Sequence, residues 1–301
     1  MKKLFSAIAT MATVAAGQAF AHGPPLPAYG PHGYVYNSGE FTFIGQSLNG
    51  INNNGSIVGF TEVDPESAFS DIDGVFNTIV DPDGDGASPN GINDANVIVG
   101  YFTVKNSDHY SGFIDSGGIY TTLDVPGAVG TYAYGIDNLG EVSGTAEMSR
   151  VGSVGFTYIN GIYSLIRQPG AYDTVVLGIN NLGVVVGLSS LGSFEYQNGV
   201  FSSVGITEPF AINDKGDIAG INLGPHGDLA VAEIAGVITP IEPPRSGYQH
   251  DALAYGINNA DDIVGGFIAV PEPAAWMMML VGVAMIGFAA RRRREGATLA
   301  A

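Results

Sequence analysis

The sequence predicts an all-β repeat protein: a propeller-like assembly of about six four-stranded blades, with a β-solenoid as the alternative, followed by a C-terminal single transmembrane helix. Three observations predict it. A Gly-Ile-Asn signature recurs six times along the 301-residue chain, short aromatic hairpins alternate with it, and an uncharged 17-residue run lies between Pro-Glu-Pro and four arginines. Units of 20 to 50 residues mark repeat architectures, and short strands punctuated by glycine and aromatic residues favour blades.

The N-terminus is a processing segment. Lys2 and Lys3 form a positive start, Leu4 to Val14 is apolar, and Ala19-Phe20-Ala21 puts small residues where a signal peptidase reads. Residues 1–21 are therefore expected to be a signal peptide, cleaved near Ala21–His22. The Gly/Pro-rich stretch 22–32 serves as a linker to a repeat body expected over 33–267.

Within the body the signature first reads Gly50-Ile51-Asn52-Asn53-Asn54-Gly55-Ser56-Ile57-Val58-Gly59. It returns at 91–100, 135–144, 178–187, 211–220 and 256–265, with starts 41, 44, 43, 33 and 45 residues apart. In its turn, Asn or Asp bonds nearby backbone and Gly reaches positive φ without a Cβ clash. A residue repeated in every unit is structural by default, since a catalytic residue need appear only once. Ahead of each signature the sequence places an aromatic hairpin, as in Gly155-Phe156-Thr157-Tyr158-Ile159, Asn160-Gly161 and Ile162-Tyr163-Ser164-Leu165-Ile166. Asn160-Gly161 and Asn198-Gly199 are strong tight-hairpin signals. The sixth unit is divergent, with only Leu229-Ala230-Val231-Ala232 where a Gly-Phe strand is expected.

At Val270 the character changes. Pro271-Glu272-Pro273 precedes Ala274 to Ala290, and Arg291, Arg292, Arg293 and Arg294 close the run. Seventeen helical residues reach roughly 26 Å, the short edge of a bilayer span, and the arginines are expected to stay cytoplasmic. This segment, 270–295 with its helix over 274–290, closely resembles the PEP-CTERM sorting signal of Gram-negative bacteria. The resemblance implies an exosortase-like processing enzyme as partner and an inner-membrane intermediate. The destination it implies is the outer surface or the medium, in association with exopolysaccharide or biofilm. The repeated unit resembles the HAF-type extracellular repeat, with Ala211 replacing the opening Gly in the fifth signature.

The search for chemistry is short. With no Cys, disulfides and thiol nucleophiles are excluded. Between His22 and Val270 the chain carries 5 Lys+Arg against 27 Asp+Glu, a net of −22, which argues against nucleic acid or an anionic membrane surface as partner. Asp81, Asp83 and Asp85 form the metal candidate, because alternating carboxylates before Gly86 resemble the start of a calcium loop. Position 12 of that loop is Ile92 instead of a bidentate Glu, so a plain acidic turn competes with calcium. No other cofactor and no catalytic residue is assigned. The five histidines show no metal-ligand spacing, and no nucleophile elbow or phosphate-binding glycine loop occurs. The reading is a non-catalytic exported surface or matrix protein, adhesive or polysaccharide-associated. A secreted propeller lyase or hydrolase acting on extracellular polymers is the alternative, and calcium-dependent self-assembly a third reading.

Overall fold

A computed structural model describes residues 30–61, 67–80, 86–107, 109–149, 152–224, 227–243 and 252–269. Its 24 strands are built from one unit used six times. The chain enters with a hairpin, β1 (Gly30–Asn37) and β2 (Glu40–Ile44). Each signature then supplies an antiparallel pair. These are β3 (Gln46–Ile51) with β4 (Ile57–Thr61), β7 (Ala87–Ile92) with β8 (Ile98–Thr103), and β11 (Ala128–Ile136) with β12 (Val142–Met148). The remaining pairs are β15 (Thr174–Ile179) with β16 (Val185–Ser189), β19 (Glu208–Ile212) with β20 (Ile218–Gly224), and β23 (Ala252–Ile257) with β24 (Ile263–Ala269).

The aromatic hairpins are β5 (Ser67–Ile72) and β6 (Val75–Thr78), β9 (Tyr110–Ser116) and β10 (Ile119–Leu123), and β13 (Gly152–Ile159) and β14 (Ile162–Ile166), followed by β17 (Gly192–Gln197) and β18 (Val200–Ser203), and β21 (Gly227–Ile234) and β22 (Val237–Pro240). Each pairs with the signature before it, not the one after. β3-β4-β5-β6 form one sheet, while β23 and β24 find their hairpin in β1 and β2 from the other end of the chain. The phase expected from the sequence is thus half a unit off, because the strand linking hairpin to signature looks the same read either way.

Side-chain volume explains the pairing. In four of the six signatures the last Gly lies opposite a hairpin phenylalanine: Gly59 opposite Phe69, Gly100 opposite Phe113, Gly144 opposite Phe156 and Gly187 opposite Phe194. A Cβ on Gly144 would meet the Phe156 ring at 2.7 Å and the Tyr132 carbonyl oxygen at 2.1 Å. The missing side chain makes room for the ring, and Phe69, Phe113, Phe156 and Phe194 are fully buried. Val231 and Tyr34 fill the same place opposite Gly220 and Gly265. The divergent sixth-unit strand is therefore a regular hairpin strand with a smaller core residue. All six hairpin turns place two consecutive residues at positive φ, including Asp73-Gly74, Asn160-Gly161 and Asn198-Gly199, which matches the twist of the strands they join.

The expected architecture needs correction on two points. The strands form five sheets and not six separate blades: four are four-stranded, and a single parallel bridge between Gly130 and Tyr110 fuses two units into one eight-stranded sheet. Among the described residues no sheet closes into a propeller, and the arrangement is a solenoid-like succession of antiparallel sheets whose last unit returns to the first through the pairing of β1 with β24. No helix occurs among the described residues and none there is long and apolar enough to cross a membrane. The transmembrane helix expected over 274–290 lies outside the described residues.

Candidate functional site

The six signatures converge on one polar cavity of about 100 Å³. Its wall is made by β3, β7, β11, β15, β19 and β23, each carrying a register shift just before its Gly or Ala, for instance between Leu48 and Gly50 and between Val176 and Gly178. Here the glycines are needed because backbones touch. A Cβ on Gly50 would lie 2.6 Å from the Asn90 carbonyl oxygen, and one on Gly178 2.9 Å from the Ala211 Cα.

Beyond these glycines the turn residues build two stacked rings. In the inner ring, Asn52 Oδ1 accepts from the backbone N–H of Asn54 and Ser56 at 3.0 and 2.9 Å, folding its own turn. Its Nδ2 donates to the Asn93 carbonyl of the next unit at 2.9 Å. The same cross-unit bond runs from Asn93 to Asp137, Asn180 to Asn213, Asn213 to Asn258 and Asn258 back to Asn52, at 2.9–3.2 Å. Asp137 takes the sixth place. Its Oδ1 accepts from Leu139 and Glu141 N–H at 2.9 and 2.7 Å, but it has no amide proton to give Asn180. Burial pushes its carboxyl above the usual Asp range, against the pull of those backbone donors.

The outer ring is complete. The backbone N–H of Asn53, Asp94, Asn138, Asn181, Asp214 and Asn259 each donates to the side-chain oxygen of the next residue in that order, the last closing on Asn53, at 2.6–2.9 Å. The carboxylates of Asp94 and Asp214 each accept three N–H bonds. At Asp214 burial works against ionisation, yet the donors Asn181 and Asn259 outweigh it and hold the carboxyl below its usual range. These rings tie neighbouring units together, so the repeated Asn and Asp residues have structural work, as their recurrence suggests.

The other end of the cavity is different in each unit. The residue before the Gly or Ala is Asn49, Asn90, Tyr134, Leu177, Phe210 or Tyr255. Phe210 and Tyr255 pack with ring centroids 5.3 Å apart, and Tyr134 stacks on Tyr132 at 6.3 Å and meets Tyr101 edge-on at 6.5 Å. Burial, then neighbouring charge, keeps the Tyr134 and Tyr255 hydroxyls protonated far above neutral pH, with Glu147 acting on the first and Glu208 and Asp228 on the second. Glu208 is 6% exposed and has neither a hydrogen bond nor an ion pair among the described residues; burial and then Asp228 raise its carboxyl pKa. Sequence reasoning missed Glu208, Tyr134, Phe210 and Tyr255. Their signal is being peculiar to one unit at positions just ahead of a repeated one.

Asp81, Asp83 and Asp85 lie outside the described residues, as do Pro271, Glu272, Pro273 and Arg291 to Arg294. Among the described residues no group of three or more His, Asp or Glu side chains is placed to hold a metal ion. His109, Ser111 and Asp124 do come together. The Ser111 hydroxyl donates to Asp124 at 2.8 Å, while His109 Nε2 lies 3.3 Å from the same oxygen. With the hydroxyl committed to the carboxylate, no base faces a nucleophile, and the group is not a catalytic triad.

In comparison with known proteins, residues 269–294 match the family model of the PEP-CTERM protein-sorting motif. No curated protein matches the chain. Among solved structures it is similar to a mutant of AofleA from Arthrobotrys oligospora, at 12% identity over 69% of this chain and 78% of that one, with a TM-score of 0.44. It is also similar to a chain of a nidogen/laminin complex, at 15% identity over 81% of this chain and 100% of that one, with a TM-score of 0.47. A third is Pyrococcus horikoshii acylaminoacyl peptidase, at 9% identity over 74% of this chain and 42% of that one, with a TM-score of 0.42. At these scores the likenesses carry no argument. The sorting motif does: it ties the chain to exosortase-linked export and sorting.

Proposed function

We propose that this is a non-catalytic protein of the outer cell surface or extracellular matrix, sorted through its C-terminal segment by an exosortase-like enzyme and associated with extracellular polysaccharide. The observation that carries the reading is the sorting motif over 269–294. On this reading residues 1–21 are removed by signal peptidase, the repeats over 33–267 are HAF-type extracellular repeats in a Gram-negative bacterium, and Pro271-Glu272-Pro273 marks the processing region. One feature supports the polysaccharide step, the aromatic end of the cavity at Tyr134, Phe210 and Tyr255. The hairpin phenylalanines give it no support, because they are buried core.

The test is the mass and cell fraction of the native protein beside a Pro271→Ala/Pro273→Ala variant. A native form shortened at both ends, on the surface or in the medium, with the variant retained in the cell, is the expected result. Native protein that keeps its C-terminal segment, or a variant processed like the native chain, overturns the sorting reading.

A further inference from the structure

The inner ring has one joint where its hydrogen bonding fails, and the atoms left over there are both oxygens. At every turn of the ring, Oδ1 of the Asn or Asp accepts from two N–H groups of its own turn, Asp137 included. At five turns the other side-chain atom is Nδ2, which donates to the carbonyl of the next unit. A ring carbonyl therefore accepts two bonds, one from that amide and one from its own turn, as Asn213 does from Asn180 Nδ2 and Gly216 N–H. Asn180 is the exception. Its carbonyl accepts only from Gly183 N–H among the described residues, because Asp137 carries a second carboxylate oxygen in the place of the amide nitrogen. No described residue donates to that oxygen. Asp137 is 4% exposed and lines the cavity, so its charge is met on one side by backbone N–H groups and on the other by nothing from the fold. A buried charge left in that condition costs free energy.

We propose that the Asp137 carboxylate and the Asn180 carbonyl hold a calcium ion in the cavity. At the five regular joints the nitrogen and the carbonyl oxygen lie 2.9–3.2 Å apart. Two oxygens at that spacing suit neighbouring ligands of one calcium, since a shell of six to eight oxygens at 2.3–2.6 Å sets adjacent ones about 3 Å apart. The cavity of about 100 Å³ has room for the ion and for waters that complete its shell. Its lining adds the carboxylates of Asp94 and Asp214 and no Lys, Arg or His, so the field inside favours a cation. A bridging water would fill the lone pairs but leave the charge unmet. Magnesium demands a near-ideal octahedron and gives up its waters reluctantly, which two fixed oxygens on one side do not repay. With a single carboxylate in the shell, affinity is expected at the weak end of calcium sites, with a Kd of about 1 mM. The site is separate from the loop of Asp81, Asp83 and Asp85, and it does not rest on the polysaccharide reading.

The test is thermal denaturation of the purified full-length protein at pH 7, followed by circular dichroism in calcium or magnesium chloride at constant ionic strength, with chelator as the reference. Calcium at about 10 mM is expected to raise the melting temperature of the native chain by about 4 °C, as a Kd of about 1 mM predicts, and magnesium by much less. Asp137→Asn closes the ring with a donor and should lose the calcium response while keeping the fold. Asp137→Ser, which removes the charge without supplying the amide, serves the same purpose if Asp137→Asn does not fold. A variant with Asp81, Asp83 and Asp85 all changed to Asn should respond to calcium as the native chain does. No calcium shift in the native protein, or an equal shift in Asp137→Asn, overturns the site. A shift that only the triple variant loses places calcium in the acidic loop and overturns it as well. Equal shifts with magnesium overturn the assignment to calcium.

Discussion

Replacing Asp137 by Asn should make the protein more stable, although Asp137 is buried and stands in a ring that joins all six units. Five of the six members of that ring are asparagines, and each sends its amide proton to the carbonyl of the next unit. Asn at position 137 keeps the two acceptor bonds from Leu139 and Glu141 through Oδ1 and adds an Nδ2 donor toward Asn180. One further buried amide–carbonyl bond adds about 1 kcal/mol, and a shift of that size moves the melting temperature of a body this large by about 2–4 °C. The pH dependence carries the sharper sign. Burial raises the folded-state pKa of Asp137, so its ionised form costs stability, a cost fully present above the folded pKa and absent below the unfolded value near 3.9. The advantage of the variant should therefore grow as pH rises from about 3.5 to 7, which urea denaturation followed by circular dichroism at both pH values will show. A variant no more stable than the native chain at pH 7, or equally advantaged at both pH values, would refute the reasoning.

Asp214 should behave oppositely. Its folded pKa is depressed, so its stabilisation is present above the unfolded value and lost as pH falls through the folded one. Asp214→Asn should cost about 1.5 kcal/mol at pH 7 and little near pH 2, read by the same denaturation. Gly187→Ala puts a Cβ 2.0 Å from the Val175 carbonyl oxygen and should cost about 3 kcal/mol, whereas Gly183→Ala, in open space at φ 72°, should cost only about 1 kcal/mol. A chain lacking residues 30–44 strips β1 and β2 from β24 and uncovers Phe267, which packs on Tyr34 and Phe43. Gel filtration should then show association through the freed strand edge.

Much of this molecule is legible in its sequence because the repeat states the same solution six times. Positive φ at Gly55, Gly140, Gly183 and Gly216, and at Asn96 and Asp261 in the two turns that lack the Gly, follows from the Asn-x-x-Gly reading. The tight hairpins at Asn160-Gly161 and Asn198-Gly199 follow likewise. Two things were out of reach. The phase of pairing depends on which hairpin ring lies over which signature glycine, a contact across the sheet that spacing along the chain does not encode. The count of separate sheets depends on one bridge, Gly130 to Tyr110, in a strand at least three residues longer than its counterparts. The metal candidate Asp81, Asp83 and Asp85 rested on spacing alone, and the tail on its order of motifs.

The same repetition separates structure from function within the cavity. At the Gly, Asn and following Asn/Asp positions the six units agree, and each agreement is accounted for by a contact to the next unit: glycine for backbone approach, amide for the inner ring, side-chain oxygen for the outer. Substitution within that set has local meaning only, as Ala211 shows. One and three residues earlier on the same strands the units diverge, to Asn49 and Ser47, Tyr134 and Tyr132, Phe210 and Glu208, Tyr255 and Leu253. Nothing in the ring geometry requires those differences. A scaffold held together by its repeated positions is free to vary these. The end of the cavity to search is therefore the one where the six units stop resembling one another.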